Sequence, residues 1–193
     1  MKYYLRLGFI LLIIAAVASG VLAFINSFTK PKIEKNERIA KEKARKQVLP
    51  QAAAFENFTT INEEKAYIAK DTDGKIIGFT FVASKYGYSS DVKTMVGLDT
   101  AFQVKNIKII SQSETPGLGA NATSTEWQQQ FTGKNIKTLA VDKDGGNIDS
   151  ITGATITSRA VTNSIKDGIK LIKKDAMPRL KKMKNESTVE DSL

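Results

Sequence analysis

The sequence predicts an α+β protein: a single N-terminal transmembrane helix, followed by a domain with a mostly antiparallel sheet flanked by helices. Three observations carry this. From Leu7 to Phe28 the chain is almost wholly apolar, between Lys2 and Arg6 on one side and Lys30-Pro31-Lys32 on the other, and is long enough to cross a bilayer as one helix. Between Ala66 and Ile110, short runs rich in β-branched and aromatic residues alternate with turn residues. Apolar residues then return at helical spacing, at Val161, Ile165, Ile169 and Ile172. A length of 193 residues with 41% hydrophobic content suits one globular unit plus appendages.

Residues 1–6 form a basic N-terminal segment and residues 7–28 the membrane span, which makes the lipid bilayer a partner. A cleaved signal peptide competes with this, since Ala16-Val17-Ala18 resembles a small-residue cleavage site. The apolar run continues well beyond Ala18, which suits an uncleaved anchor. Taken literally, the larger Lys/Arg cluster after the span puts the domain in the cytoplasm. Glu34, Glu37 and Glu42 are interspersed there, although acidic residues count little in that rule, and the residues alone leave the side open.

Residues 29–50 read as a charged stalk helix with apolar positions at Ile33, Ala40, Ala44 and Val48, ended by Pro50. The packed domain is expected over 51–175. Ala66 to Ala69, the turn Asp71-Thr72-Asp73-Gly74, and Ile76 to Val82 form a hairpin. Tyr86 to Ser90 is a second turn, followed by strands Val92 to Leu98 and Val104 to Ile110, for about four or five strands in all. Ser113 to Gly119 then leaves the sheet with one proline and two glycines. Such glycines let a main chain approach a flat ligand, with Leu118 as an apolar surface, although a surface turn is the commoner use of a Pro-Gly pair. Glu126 to Phe131 reads as a short helix with Trp127 in the core, and Ile136 to Val141 as a further strand.

After the break at Gly145-Gly146-Asn147 comes Asp149-Ser150-Ile151-Thr152-Gly153-Ala154-Thr155-Ile156-Thr157-Ser158, in which five hydroxyl side chains surround one Gly-Ala step. It opens the last helix and serves either as an ordinary N-cap or as an anion site, since helix N-termini favour phosphate or carboxylate. Beyond Ile172 the chain turns basic through Lys184, then polar and acidic, and residues 176–193 are expected to be a disordered polar tail.

Composition removes several function classes. With no cysteine and no histidine, thiol nucleophiles, disulfides, iron–sulfur ligation and His-based acid–base or metal chemistry are excluded. Any redox work therefore needs an organic cofactor. The net charge of +9 comes from Lys/Arg clusters in the flanks, and the aromatics are not interleaved with them as nucleic-acid binding requires. A Ser/Thr nucleophile lacks its usual base. Paired carboxylates drawn from Asp142, Asp144 and Asp149 have the glycine pair between them, and Asp142-Lys143-Asp144-Gly145-Gly146-Asn147 offers oxygen ligands for calcium but lacks EF-hand spacing and its terminal glutamate.

Asp149-Ser150-Ile151-Thr152-Gly153-Ala154-Thr155 resembles the flavinylation motif of the FMN-binding domain family. The resemblance implies FMN as a covalent cofactor, joined through its phosphate to Thr155 by a flavin transferase. Asp149, Thr152, Gly153 and Ala154 then serve transferase recognition and the phosphate cradle, with Thr157 as a neighbour in the cofactor site. Ser113 to Gly119 resembles the Glu-Thr-Pro-Gly-Leu-Gly loop that borders the flavin in membrane-bound members. It implies Glu114 and Thr115 near the isoalloxazine and Leu118 packed on it, with Tyr88 in the stacking position, although the turn around Tyr88 is less glycine-rich than in the family. From the membrane helix to about Lys174 the chain is similar to the G subunits of the Rnf electron-transport complex. The longer C subunits of the sodium-translocating NADH:quinone reductase share both motifs. The implied role is an electron-relaying subunit of a ferredoxin:NAD oxidoreductase coupled to Na+ or H+ transport, partnered by other membrane and soluble subunits. The implied location is the cytoplasmic membrane, single-pass, with the domain on the extracytoplasmic side. A non-redox anchored domain holding a phosphate or carboxylate ligand is the alternative from another class.

Overall fold

Ile76 to Tyr86 is buried at six consecutive positions, Gly78 to Ala83, the pattern of a strand covered on both faces rather than one. A computed structural model describes residues 2–61 and 64–190. It places this segment at the centre of a five-stranded antiparallel meander, ordered β1 (Ala54–Ile61), β2 (Glu64–Lys70), β3 (Ile76–Tyr86), β4 (Asp91–Asp99) and β5 (Val104–Ser111). Phe79 pairs with Leu98, Phe81 with Val96 and Ala83 with Thr94, which puts these side chains on one face. That face buries Phe79, Phe81, Val96, Leu98 and Ile107 against Val161, Ile165, Ile169 and Ile172 of α3 (Thr155–Glu190). The opposite face carries Val82 and Met95 against Ala44 and Val48, the last turns of α1 (Lys2–Val48).

Two compact units result, residues up to Ala40 and residues from Lys41 onward. In the first, α1 is apolar and long enough to cross a membrane by length and composition, with Leu7, Phe9, Leu11, Ile14, Leu22 and Phe28 exposed along it. Pro31 lies inside the helix, so the expected span and stalk are one continuous element that forgoes a single ladder bond there. In the second unit, the final turns of α1 are fixed to the sheet. The Arg45 guanidinium lies 3.6 Å from the Tyr67 ring centroid, Lys41 pairs with Glu64, and Val48 is buried. The packed domain thus includes residues that the sequence assigns to the stalk.

Three expectations change. β1 is a strand that the residue pattern does not announce: it is an edge strand, mostly exposed, and the register shift between Asn57 and Thr59 interrupts its alternation. Ile136 to Val141 is not a strand. Asn135 Oδ1 accepts from the Lys137 amide at 2.9 Å, and Thr138 Oγ1 accepts from the Asn135 amide at 2.9 Å, a local turn that outcompetes extension. Only an isolated parallel bridge, Val141 to Ile148, follows. The expected disorder beyond Ile172 is replaced by helix, since α3 runs on to Glu190. Ala176 is buried and Leu180 packs on the core, so the apolar spacing continues past Ile172. Residues 191–193 of the expected tail lie outside the described residues.

Trp127 sits in α2 (Thr125–Gln129), is buried, and meets Phe131 edge-on at 5.0 Å. Gln128 beside it is also buried, accepting from the Ile109 amide at 3.1 Å and donating to the Thr123 carbonyl at 2.7 Å. These contacts tie α2 to β5.

The seat of α3 on β3 is unusually close. A Cβ on Gly168 would fall 2.0 Å from Phe81 Cε2. In Gly168→Ala, the helix-propensity gain of about 1 kcal/mol is therefore expected to be outweighed by overpacking, which typically costs about 1–3 kcal/mol. Thermal unfolding of the full chain should show a lowered Tm, whereas a raised Tm would mean that Phe81 moves aside freely.

Candidate functional site

Three segments meet beside the start of α3: the β3–β4 turn, the loop from Gln112 to Gly119, and the stretch from Asp149 to Ser158. Together they form a pocket of about 570 Å³ lined by Tyr88, Glu114, Thr115, Leu118, Gly119, Gly153, Ala154, Thr155, Ile156 and Thr157, within the size range of small-molecule sites. A slightly larger groove on α3, about 610 Å³, is lined by Lys170, Lys173, Lys174, Ile136, Met177 and Pro178. It contains none of the convergent hydroxyl and amide groups found in the first.

The motif backbone is held by side chains distant in sequence. Gln130 Oε1 accepts from the Asp149 amide at 2.8 Å, and Trp127 Nε1 donates to the Asp149 carbonyl at 2.8 Å. Asp142 accepts from both the amide and the hydroxyl of Ser150. That hydroxyl is the main reason the Asp142 carboxyl is held at about 2. Arg159, in the first turns of α3, forks onto Asp144 with contacts of 2.7–3.1 Å and anchors the same turn. At Gly153 the chain takes φ +73°, and a Cβ there would stand 2.8 Å from Leu118 Cδ2. Both facts call for glycine. Helical bonding begins with the Ser158 amide donating to the Ala154 carbonyl at 3.0 Å, so the amides of Thr155, Ile156 and Thr157 precede the ladder, as at any helix start.

The five hydroxyls of the motif separate cleanly. Ser150 donates to Asp142, Thr157 to Glu114 at 2.6 Å, and Ser158 to the Ala154 carbonyl at 3.0 Å. Among the described residues neither Thr152 nor Thr155 has a hydroxyl acceptor. Thr152 is exposed and outside the pocket lining, whereas Thr155 is half-buried and lines it.

Glu114 is the buried polar centre of the site, 5% exposed. Its carboxylate accepts from the amides of Tyr88 (3.1 Å), Ser89 (3.0 Å) and Ser90 (3.0 Å) as well as from Thr157. Burial by itself raises its pKa, but the Thr157 hydroxyl and the three amides together more than offset this and leave it below the ordinary carboxyl value. Glu114 therefore spends its lone pairs on the protein.

Of the residues singled out in the sequence, Tyr88, Glu114, Thr115, Leu118, Gly153, Ala154, Thr155 and Thr157 line one pocket, while Asp149 and Thr152 are exposed outside the lining. Gly119, the second glycine of the Ser113 to Gly119 loop, joins them, as does Ile156, which had not been singled out. Ile156 lies on the side of α3 away from Val161, Ile165, Ile169 and Ile172, and is 53% exposed at the pocket beside Tyr88 at 68% and Leu118 at 42%. Three solvent-facing apolar side chains around a polar base suit a flat ligand with a charged tail. The run of amides from Tyr88 to Ser90 left no sequence signal.

Compared with known proteins, residues 87–170 match the FMN-binding domain and residues 2–48 the RnfG N-terminal region. The chain is similar to the G subunit of the Na(+)-translocating ferredoxin:NAD(+) oxidoreductase complex of Acetobacterium woodii, 36% identical over 88% of this chain and 92% of that one. It is also similar to the G subunit of the ion-translocating oxidoreductase complex of Escherichia coli O157:H7, 34% identical over 82% and 86%. Among solved structures, the crystal structure of Shewanella oneidensis NqrC is 22% identical with a TM-score of 0.47, covering 62% of this chain and 66% of that one.

The lowered pKa of Glu114 carries a definite sign. A carboxyl with a folded pKa below its unfolded value of about 4.3 contributes stability that is present above that value and lost as pH falls through the folded pKa. In Glu114→Gln, the acid limb of a Tm–pH profile should flatten. Stability at neutral pH should fall by about 1.5–3 kcal/mol, the scale for hydrogen bonds to a charged group. An unchanged acid limb would show that Glu114 does not titrate with unfolding.

Proposed function

Because the chain belongs to the family of G subunits of ion-translocating oxidoreductase complexes, we propose that it is a membrane-anchored flavoprotein subunit relaying electrons in a ferredoxin:NAD oxidoreductase coupled to Na+ or H+ translocation, with FMN esterified through its phosphate to Thr155. The carrying observation is the hydroxyl of Thr155. It alone among the motif hydroxyls combines a place in the pocket lining with no protein acceptor among the described residues.

The site fits a tethered flavin. Its lining holds no lysine or arginine, so the counter-charge available to a phosphate there is the positive end of α3 and its first amides. A covalent ester secures a ligand that such a site holds only modestly by charge. Tyr88, Leu118 and Ile156 supply apolar surface for a ring system, and the helix start receives the phosphate. When bound, the flavin supplies the electron chemistry. The chain supplies the tether, the orientation and the local field. Exposed Asp149 and Thr152 are placed to be read by a flavin transferase rather than by the ring. Of the two families the motifs resemble, the G subunits are favoured by the match over residues 2–48.

The domain is proposed to face the extracytoplasmic side, with other subunits of the complex as its electron partners. The location rests on the family resemblance, against the literal count of cations near the span.

Two measurements decide these points. Full-length protein produced with a flavin transferase should gain the mass of FMN less one water, and Thr155→Ala should abolish the gain while Thr152→Ala keeps it. An unmodified wild-type mass would favour the non-redox anion-binding alternative. Protease added outside right-side-out vesicles should digest the domain, and full protection would place it in the cytoplasm.

A further inference from the structure

We infer that Glu114 is a positioning residue for the flavin, locking the Tyr88 turn onto the first turn of α3 and setting an uncompensated negative charge beside the pocket that disfavours the electron-rich form of the bound ring. This rests on the function proposed above and adds to it the element that controls the flavin's redox poise.

The geometry is a saturated clamp. Oε2 accepts from Thr157 Oγ1 at 2.6 Å and the Tyr88 amide at 3.1 Å; Oε1 accepts from the Ser89 and Ser90 amides at 3.0 Å each, with Ser90 Oγ at 3.4 Å. A carboxylate offers about four lone-pair sites, and the chain occupies them. No acceptor position remains for a ligand N–H, so Glu114 acts on the flavin through placement and charge. Placement follows from the partners: one side of the clamp is the turn carrying Tyr88, the other is two residues beyond Thr155. The Thr157 contact bridges 43 positions of sequence. The clamp also has no slack. A Cβ on Gly119 would stand 2.7 Å from Oε2 and 2.8 Å from Thr157 Oγ1, and one on Gly87 2.8 Å from Oε1.

The charge is not cancelled locally. Every group facing the carboxylate is neutral: three amides, the hydroxyls of Ser90 and Thr157, and the two glycines. Tyr88 is the other titratable residue of the lining, and Arg159, the nearest cation along α3, is committed to Asp144 outside it. Two-electron, one-proton reduction adds one net negative charge to the ring. A fixed anion in a partly desolvated pocket opposes that addition more than it would in water.

The experiment uses full-length protein co-produced with the flavin transferase and solubilised in detergent, with intact mass followed by spectroelectrochemical titration across pH. A wild type without the adduct overturns the proposed function and this inference with it. With the adduct present, Glu114→Gln should shift the midpoint potential upward, with the ratio of reduced to oxidised flavin at a fixed poise rising about tenfold, or about 30 mV for a two-electron couple. The exposed control Glu126→Gln should leave the potential unchanged. An unshifted potential in Glu114→Gln, or an equal shift in the control, overturns the inference alone. Wild type should show an acid-range break in the potential–pH plot as Glu114 protonates. Glu114→Gln should lack the break, and Thr157→Val, which keeps the charge but removes a donor, should move it to higher pH. Should Glu114→Gln fail to fold, Thr157→Val decides, since an unmoved break overturns the inference.

Discussion

The close contact of α3 with β3 sets the terms for everything near the pocket. Gly168 lies so near Phe81 that no side chain fits between them, and Ile165, Ile169 and Ile172 extend the contact along the same face. Once the helix is seated, the position of its first residue follows. Thr155 is therefore placed by core packing several turns away rather than by local loop preference. The sheet resists displacement because β3 is covered on its other face by Ala44 and Val48. A site built on a rigid helix end holds its geometry better than one built on a loop.

Electrostatics at the site follows an economy of charge. Its single carboxylate is buried and fully hydrogen-bonded, and its cations are kept outside, paired with the aspartates of the 142–144 turn. What faces a ligand is a set of dipoles: helix-start amides, hydroxyls and an apolar rim. A bound phosphate then meets a weak and evenly spread positive field, while the ring meets the field of Glu114. The separation of tail and ring environments arises from one helix start and one loop, both short in sequence.

Much of this was legible in the residues, for identifiable reasons. The β2–β3 hairpin was readable because Asp71 turns the chain by accepting from the amides of Asp73 and Lys75, a bond pattern tied to residue type. Thr155 and the Glu114 to Gly119 loop were readable as motifs, and the fold brings both to one pocket. Asp149 and Thr152 belong to the same motif but lie outside the lining, because motif membership does not specify the direction of a side chain. β1 escaped notice because an exposed edge strand with a register shift has no burial alternation to display. Ile156 carried no site signal of its own, because the spacing of Val161, Ile165 and Ile169 places it off the core face without saying what it meets there. The Glu114–Thr157 bond joins two segments whose proximity only the folded chain defines. Helix beyond Ile172 was hidden by lysines, whose abundance suggested solvation while Ala176 and Leu180 still faced the core.

Trp127 gives the molecule an internal optical reporter. The chain has a single tryptophan, and its indole N–H is bonded to the backbone of Asp149, the first residue of the motif. Its emission thus arises from one known place in the framework of the site, in a wavelength range where flavins absorb. Ordering of the motif and arrival of a yellow chromophore in the pocket are both written into the fluorescence of one side chain, without any label being added.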